Sequence, residues 1–330
     1  MSFELILPFF RAIEALLLDD SVSEIMGNPD GLWWFERGGK LEPANGVHFD
    51  SKALQTGLEV IANHLGKRLD EEHPLLNAQL PDGSRLAAVL PPVVRPGPAL
   101  TIRKFRKQRY TIADLMQAGS LSEEMAEFLR LQVQEGKTLL ISGGTGSGKT
   151  TLLNALADFI PENERIVVIE DTAELRISKP NLLAAECQTE SVKGKVDFTG
   201  LLKNALRWRP DRIILGEVRG EEARTLLDSF NTGHGGSMAT IHATSPVKAL
   251  RRFGELAMRA HQQATRDDLA AEIGDSVDYV VQVGRYAEGR KIGEIVHVKG
   301  YNRERKVYDC DTVYSLDPNR SLIHSTLTGG

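Results

Sequence analysis

Between residues 51 and 65, Leu54, Leu58, Ile61, Ala62 and Leu65 recur at steps of three and four, and Gly66 follows. That spacing gathers them on one face of a helix, with the glycine as its stop. Before it, residues 31–39 read as a strand (Leu32, Trp33, Trp34, Phe35) entering a turn at Gly38 and Gly39. After it, residues 75–90 read as a hairpin turning at Pro81, Asp82 and Gly83. The first twenty residues are apolar only in patches and predict a short folded segment and helix. These elements make a small α+β unit.

From residue 111 the pattern changes. Four short apolar runs, at 138–142, 165–169, 212–215 and 238–241, predict buried strands, separated by stretches that read as helix. Strands of this kind belong to a parallel sheet covered on both faces. Ser120 and Glu123 have the spacing of a capping box for a helix running to about Glu135. Residues 149–159 and 246–273 read as helical. Residues 278–283 and 292–298 read as strands, followed by a polar tail. Between the two patterns, Pro91, Pro92, Pro96 and Pro98 break regular structure, and Arg103, Lys104, Arg106, Lys107 and Arg109 crowd into seven positions. The division expected is an α+β domain at 1–102, a basic linker at 103–112 and an α/β domain at 113–330. The linker reads either as a solvated hinge or as a segment whose arginines reach a phosphate or another subunit.

Composition narrows the function classes. The chain has 330 residues, 41% hydrophobic and 26% charged, the balance of a soluble globular protein. Forty Lys and Arg against forty-five Asp and Glu leave a formal charge of −5. A protein that coats nucleic acid or an anionic membrane by bulk charge is usually basic, so that class is disfavoured. Cys187 and Cys310 are too few for a disulfide scaffold or a cysteine zinc site, and a reducing cytoplasmic compartment fits. The N-terminal apolar patch lacks a basic n-region and is interrupted by Glu4 and Arg11, so it is not read as a signal peptide. No apolar run approaches the ~20 residues needed to span a bilayer. Any membrane role is then peripheral or through a partner.

The chemistry concentrates in Gly143, Gly144, Thr145, Gly146, Ser147, Gly148, Lys149 and Thr150, which match G-x-x-x-x-G-K-[ST] between a predicted strand and a predicted helix. Glycines let successive backbone N–H groups face a phosphate, and the next helix turns its positive end to the same anion. The lysine reaches the β- and γ-phosphates, and the threonine hydroxyl ligates magnesium. Hydrolysis needs more, namely groups that position water and stabilise charge. Glu170 and Asp171 follow one predicted strand and Glu217 follows another, at the carboxyl ends where open α/β sheets place their sites. The usual aspartate before the second acid is here Gly216. Magnesium contact therefore falls to Glu217, Glu170 or Asp171, through water. His234 and His242 have no zinc-site spacing. Each is either structural or a group that senses the γ-phosphate or links it to a neighbouring subunit.

In order, the phosphate loop, the block Ile169-Glu170-Asp171-Thr172, the block from Arg207 to Arg219 and the block from Thr232 to Ala243 resemble the Walker A, Asp box, atypical Walker B and His box of the type II/type IV secretion traffic ATPases. Gly-Glu is usual there, so the departure at Gly216 becomes support. Val22-Ser23-Glu24-Ile25-Met26 and Pro81-Asp82-Gly83-Ser84-Arg85 extend the resemblance into the first domain, and it covers nearly the whole chain. The subgroup it most resembles is the conjugative-transfer ATPases of the TrbB type.

The resemblance implies a RecA-like P-loop ATPase domain behind a smaller α+β domain, hexameric rings, and ATP held with Mg2+ between the two domains. It implies that Lys149, Thr150 and Thr151 bind phosphate and metal, and that Glu170 and Glu217 polarise water. Nucleotide-contacting arginines would be Arg103 first, then Arg85 and Arg95, with Arg209 before the Walker B strand and Arg219 after it. His234 and His242 would couple hydrolysis to ring motion. The two domains would swing about the linker. The work would go to inner-membrane components of a secretion, conjugation or pilus machine, from the cytoplasmic face. A helicase-like nucleic-acid translocase is the main rival; acidic charge and 6% aromatic residues weigh against it, and no sequence-specific nucleic-acid binding is expected. A nucleotide-binding scaffold without turnover is the other rival, against which the two glutamates weigh.

Overall fold

A computed structural model describes residues 7–105, 109–187, 196–260 and 264–316. The described residues form two compact units, one running to Phe105 and the other from Arg109.

In the first unit a turn of 3-10 helix, Leu7–Ile13, leads into α1 (Glu14–Leu18). Then come β1 (Val22–Gly27), β2 (Leu32–Arg37), β3 (Lys40–His48), α2 (Ser51–His64), β4 (Leu75–Gln79), β5 (Arg85–Val89) and β6 (Ala99–Arg103). The six strands pair antiparallel in the order β3-β2-β1-β6-β5-β4. Alternate residues of the strands, among them Ile25, Trp33, Phe35, Leu86 and Ile102, turn to one face and meet Leu54, Leu58 and Ile61 of α2. Burying one such side chain stabilises by about 1.5–3 kcal/mol. The α2 start follows from Asp50, whose carboxylate accepts from the Ala53 N–H at 2.8 Å.

The second unit runs α3 (Ile112–Gln117), α4 (Glu123–Gln134), β7 (Leu139–Gly143), α5 (Lys149–Leu156), β8 (Ile166–Glu170), β9 (Leu182–Glu186), α6 (Phe198–Ala205) and β10 (Arg212–Val218). It continues with α7 (Glu222–Asn231), β11 (Met238–Ile241), α8 (Pro246–Ala260), α9 (Arg266–Ser276), β12 (Tyr279–Tyr286), β13 (Gly289–Asn302) and β14 (Val307–Ser315). The sheet order is β14-β13-β12-β7-β11-β10-β8-β9, parallel from β12 to β9, with β13 and β14 added antiparallel. Strand residues alternate between two cores. Leu140, Val167, Ile169, Ile213 and Leu215 pack with α6 to α9, whereas Leu139, Ile141, Ile166, Val168 and Ile214 pack with α3 to α5. Both faces are buried, which is why these strands read as unbroken apolar runs.

Local details differ from the sequence reading. Ser122, not Ser120, caps α4, accepting from Met125 N–H at 3.2 Å. The reciprocal capping box belongs to Thr111 and Asp114 on α3. The helical stretch 246–273 is two helices, the second capped by Thr265. The segment read as a polar tail contains β14, whose alternating pattern suits an edge strand with only one face covered.

Candidate nucleotide site

Strand β7 delivers the chain at Gly143 into a loop that ends where Lys149 starts α5. The glycines have separate causes. Gly148 has φ +102°, a left-handed backbone that side chains disfavour. At Gly143 a Cβ would lie 2.4 Å from the Val283 carbonyl oxygen and 2.5 Å from Ser147 Oγ. The Arg285 guanidinium, reaching from β12, donates to the Gly146 carbonyl at 3.0 Å and braces the loop from outside. Thr150 and Thr151 lie half-buried in the first turn of α5. Ser147 is buried and its hydroxyl has no hydrogen-bond partner, an arrangement that suits an anion in the loop.

Lys149 is buried to 7% exposure and its ammonium donates to the Gly143 and Gly144 carbonyls at 3.1 and 3.0 Å. It also lies 3.3 Å from His242 Nδ1. Across the ring, His242 Nε2 is 3.1 Å from Glu217 Oε1. Burial, then the Lys149 charge, hold the His242 pKa below its ordinary value, against the pull of Glu217. The ring is therefore neutral at pH 7, with Nδ1 accepting from Lys149 and Nε2–H donating to Glu217. On the other side of Glu217, Arg219 donates to Oε2 at 2.8 Å and to Asp171 Oδ2 at 3.0 Å. Lys149, His242, Glu217, Arg219 and Asp171 thus form one continuous chain of polar contacts along the carboxyl edge of the sheet.

Glu170, at the end of β8, is 5% exposed, and its Oε1 accepts from the Glu174 and Leu175 N–H groups, both at 3.0 Å. It also explains Gly216. A Cβ at 216 would come 3.1 Å from Glu170 Cγ and 3.6 Å from its Oε1. The Glu170 side chain, from the neighbouring strand, thus occupies the space beside Gly216. Strand β10 is further irregular here: Leu215 pairs with Ala239 and Val218 with Ile241, so β10 carries one extra residue at Gly216 and Glu217. Such a bulge re-aims a side chain, here Glu217. Nothing in the sequence pattern announced it.

The profile of the family described as "Type II/IV secretion system protein" matches residues 10–312. The chain belongs to the type II/type IV secretion traffic ATPase family. This secretion ATPase is 38% identical over 289 residues to conjugal transfer protein TrbB of Rhizobium radiobacter, covering 86% of each chain. It is 36% identical over 308 residues to type IV secretion system protein PtlH of Bordetella pertussis, covering 84% of this chain and 89% of the relative. Its fold is similar to that of the ATPase DotB of Yersinia pseudotuberculosis (TM-score 0.62, 17% identity), over 90% of this chain and 80% of that one.

Not all the residues singled out in the secretion ATPase meet at this site. The loop residues, Lys149, Glu170, Glu217 and His242 do, at the carboxyl ends of β7, β8, β10 and β11. His234 does not: it precedes β11, at the opposite edge of the sheet, where its Nδ1 lies 3.2 Å from the Ser229 carbonyl. The two histidines flank a four-residue strand, so they cannot share a ligand in one chain. Arg209 lies at that same far edge, before β10, exposed and with φ +54°. Counting strand residues at ~3.3 Å each, it is on the order of 20–30 Å from the phosphate loop of its own chain. Arg209 and the phosphate loop of its own chain thus lie at opposite edges of the sheet.

Arg85 and Arg103 belong to the first unit, directly opposite each other on β5 and β6, with Arg103 Nε 3.7 Å from Glu24 Oε1. Arg103 is thus a strand residue. Lys104 donates to the Leu16 and Asp19 carbonyls, and Arg109 pairs with Asp158. Arg106 and Lys107 lie outside the described residues, and Arg95 is exposed. Asp70, Glu72 and His73 have metal-binding spacing on the surface, but Arg68 already pairs with both carboxylates.

Proposed function

We propose that this secretion ATPase hydrolyses ATP with Mg2+ as a homo-hexameric ring and powers a type IV secretion, conjugation or pilus machine. One observation carries the reading: a phosphate loop, its lysine, a histidine and two carboxylates converge at the ends of four adjacent parallel strands. The match to conjugal transfer and type IV secretion proteins over most of both chains supports it.

The residues take the following parts. Loop N–H groups, Lys149 and the positive end of α5 hold the β- and γ-phosphates. Thr150 and Thr151 sit at the same helix start, with Thr150 as the direct metal ligand and Glu170 and Glu217 reaching the ion through water. Magnesium supplies charge neutralisation on the phosphate oxygens. Glu217 aims and polarises the attacking water, helped by Glu170. Lys149 must exchange its His242 contact for phosphate when ATP arrives, so His242 registers whether the site is loaded. The far-edge position of Arg209 and His234 fits contact with the nucleotide of a neighbouring subunit. Arg103 and Arg85 act from the first unit, clamping the triphosphate as the units swing together and releasing it after hydrolysis.

No helix among the described residues is long and apolar enough to cross a membrane. The proposed place of work, on the likeness to conjugal transfer and type IV secretion proteins, is the cytoplasmic face of the inner membrane, docked on membrane components of the machine. Light scattering with and without ATP, run beside a turnover assay, tests the ring. A six-fold mass with turnover supports the reading; a monomer without turnover contradicts it. Stimulation by single-stranded DNA that is lost steeply with salt would favour a translocase instead.

A further inference from the structure

We infer that Arg219 is a positioning residue for hydrolysis, a fork that holds Glu217 in the orientation from which it polarises water and ties it to Asp171. The inference rests on the ATP-hydrolysis reading above. Arg219 Nη2 donates to Glu217 Oε2 at 2.8 Å and Nη1 to Asp171 Oδ2 at 3.0 Å. The other Glu217 oxygen faces His242 Nε2 at 3.1 Å. A carboxylate held at both oxygens from two sides has its plane fixed, and the direction of its remaining lone pairs with it. The planar guanidinium is suited to bridging two carboxylates, which an ammonium cannot do with the same geometry.

The local backbone explains how the fork is built. Glu217 is near the end of β10 and Arg219 directly follows the strand's last residue, Val218, two positions on, a spacing that in extended chain puts both on the same side. Asp171 follows β8, the strand paired with β10 through Leu215 and Ile169. The fork therefore joins two adjacent strand ends and keeps two like charges from facing each other uncompensated. A purely structural role is a weak explanation. The Arg219 side chain is 50% exposed, and ion pairs at such exposure contribute about 0–1 kcal/mol. Direct phosphate binding is also disfavoured by place. Along the polar chain Arg219 stands beyond Glu217 and His242 from Lys149, with its donors committed to carboxylates.

The test compares the full-length parent with Arg219→Ala, Arg219→Lys, Glu217→Gln and the double variant Arg219→Ala/Glu217→Gln. Turnover is measured beside binding of a fluorescent ATP analogue, with thermal melting as a folding check. A small misplacement of a catalytic group can cost on the order of a hundredfold. Arg219→Ala should lower kcat at least about tenfold, with KM and analogue affinity within about twofold of the parent. Arg219→Lys, which keeps the charge without the fork and guards against a folding failure of the alanine variant, should stay several-fold below the parent. Adding Arg219→Ala to Glu217→Gln should cost almost nothing more, because the arginine acts through the glutamate. Unchanged kcat, a fully active lysine variant, or a loss of affinity that adds to Glu217→Gln overturns the inference. A parent that never hydrolyses ATP overturns the functional reading itself, and is seen before any variant is compared.

Discussion

At the scale of single residues, Gly216 leaves room for a side chain from the neighbouring strand. The sequence revealed only that an aspartate was absent. The structure shows the Glu170 side chain lying where a side chain at 216 would begin, with a would-be Cβ 3.1 Å from its Cγ. Gly216→Ala should therefore displace Glu170, lower turnover and cost about 1–2 kcal/mol by overpacking, read from denaturant midpoints. Turnover equal to the parent would mean that Glu170 is not needed where it lies. The cysteines make a second residue-scale case. Burial first, then nearby carboxylates, push Cys187 up to about 12 and Cys310 up to about 11. At pH 7.5 that leaves Cys310 with roughly 300-fold less thiolate than an ordinary thiol. Iodoacetamide should label the native protein at least about a hundredfold more slowly than free cysteine; rapid labelling would contradict this.

At the scale of elements, the buried parallel strands were legible because both their faces are apolar. Runs such as 138–142 and 238–241 are too short for a helix of ordinary length and alternate with helical stretches. β9 and β14 were not, because an edge strand buries one face and mixes polar with apolar residues. The capping box was misplaced for a related reason: Ser120 and Glu123 have the right spacing, but only the three-dimensional turn shows that the helix begins after Ser122. Thr111→Ala should lower stability by about 1 kcal/mol, whereas Ser120→Ala should be near neutral. Equal losses in denaturant titrations would contradict the assignment. The His box shows the limit most clearly. Thr232 to Ala243 reads as one block in sequence, yet a strand four residues long runs through it. That strand carries His242 to the phosphate loop and leaves His234 at the other edge. Side chains at the site were legible as residue types; the bulge that aims Glu217 was not, because it depends on how β10 pairs with β11.

At the scale of the whole molecule, the charge of −5 conceals how its basic groups are placed. Arg85 and Arg103 sit directly opposite each other on β5 and β6 of the first unit, and Arg103 faces Glu24. If Lys149 anchors ATP in the phosphate loop, binding should stabilise the protein by mass action. In Glu217→Gln, Mg-ATP at about 100 times its Kd should add about 2.7 kcal/mol, and Lys149→Ala should abolish the gain. The central claim is that one phosphate loop with its carboxylates turns ATP over. Steady-state ATP hydrolysis by the parent, Lys149→Ala and Glu217→Gln, with nucleotide binding measured on the same samples, tests it most directly. The account expects full turnover in the parent alone, with binding kept and only a residual rate in Glu217→Gln, and binding lost in Lys149→Ala; full turnover in either variant would contradict it.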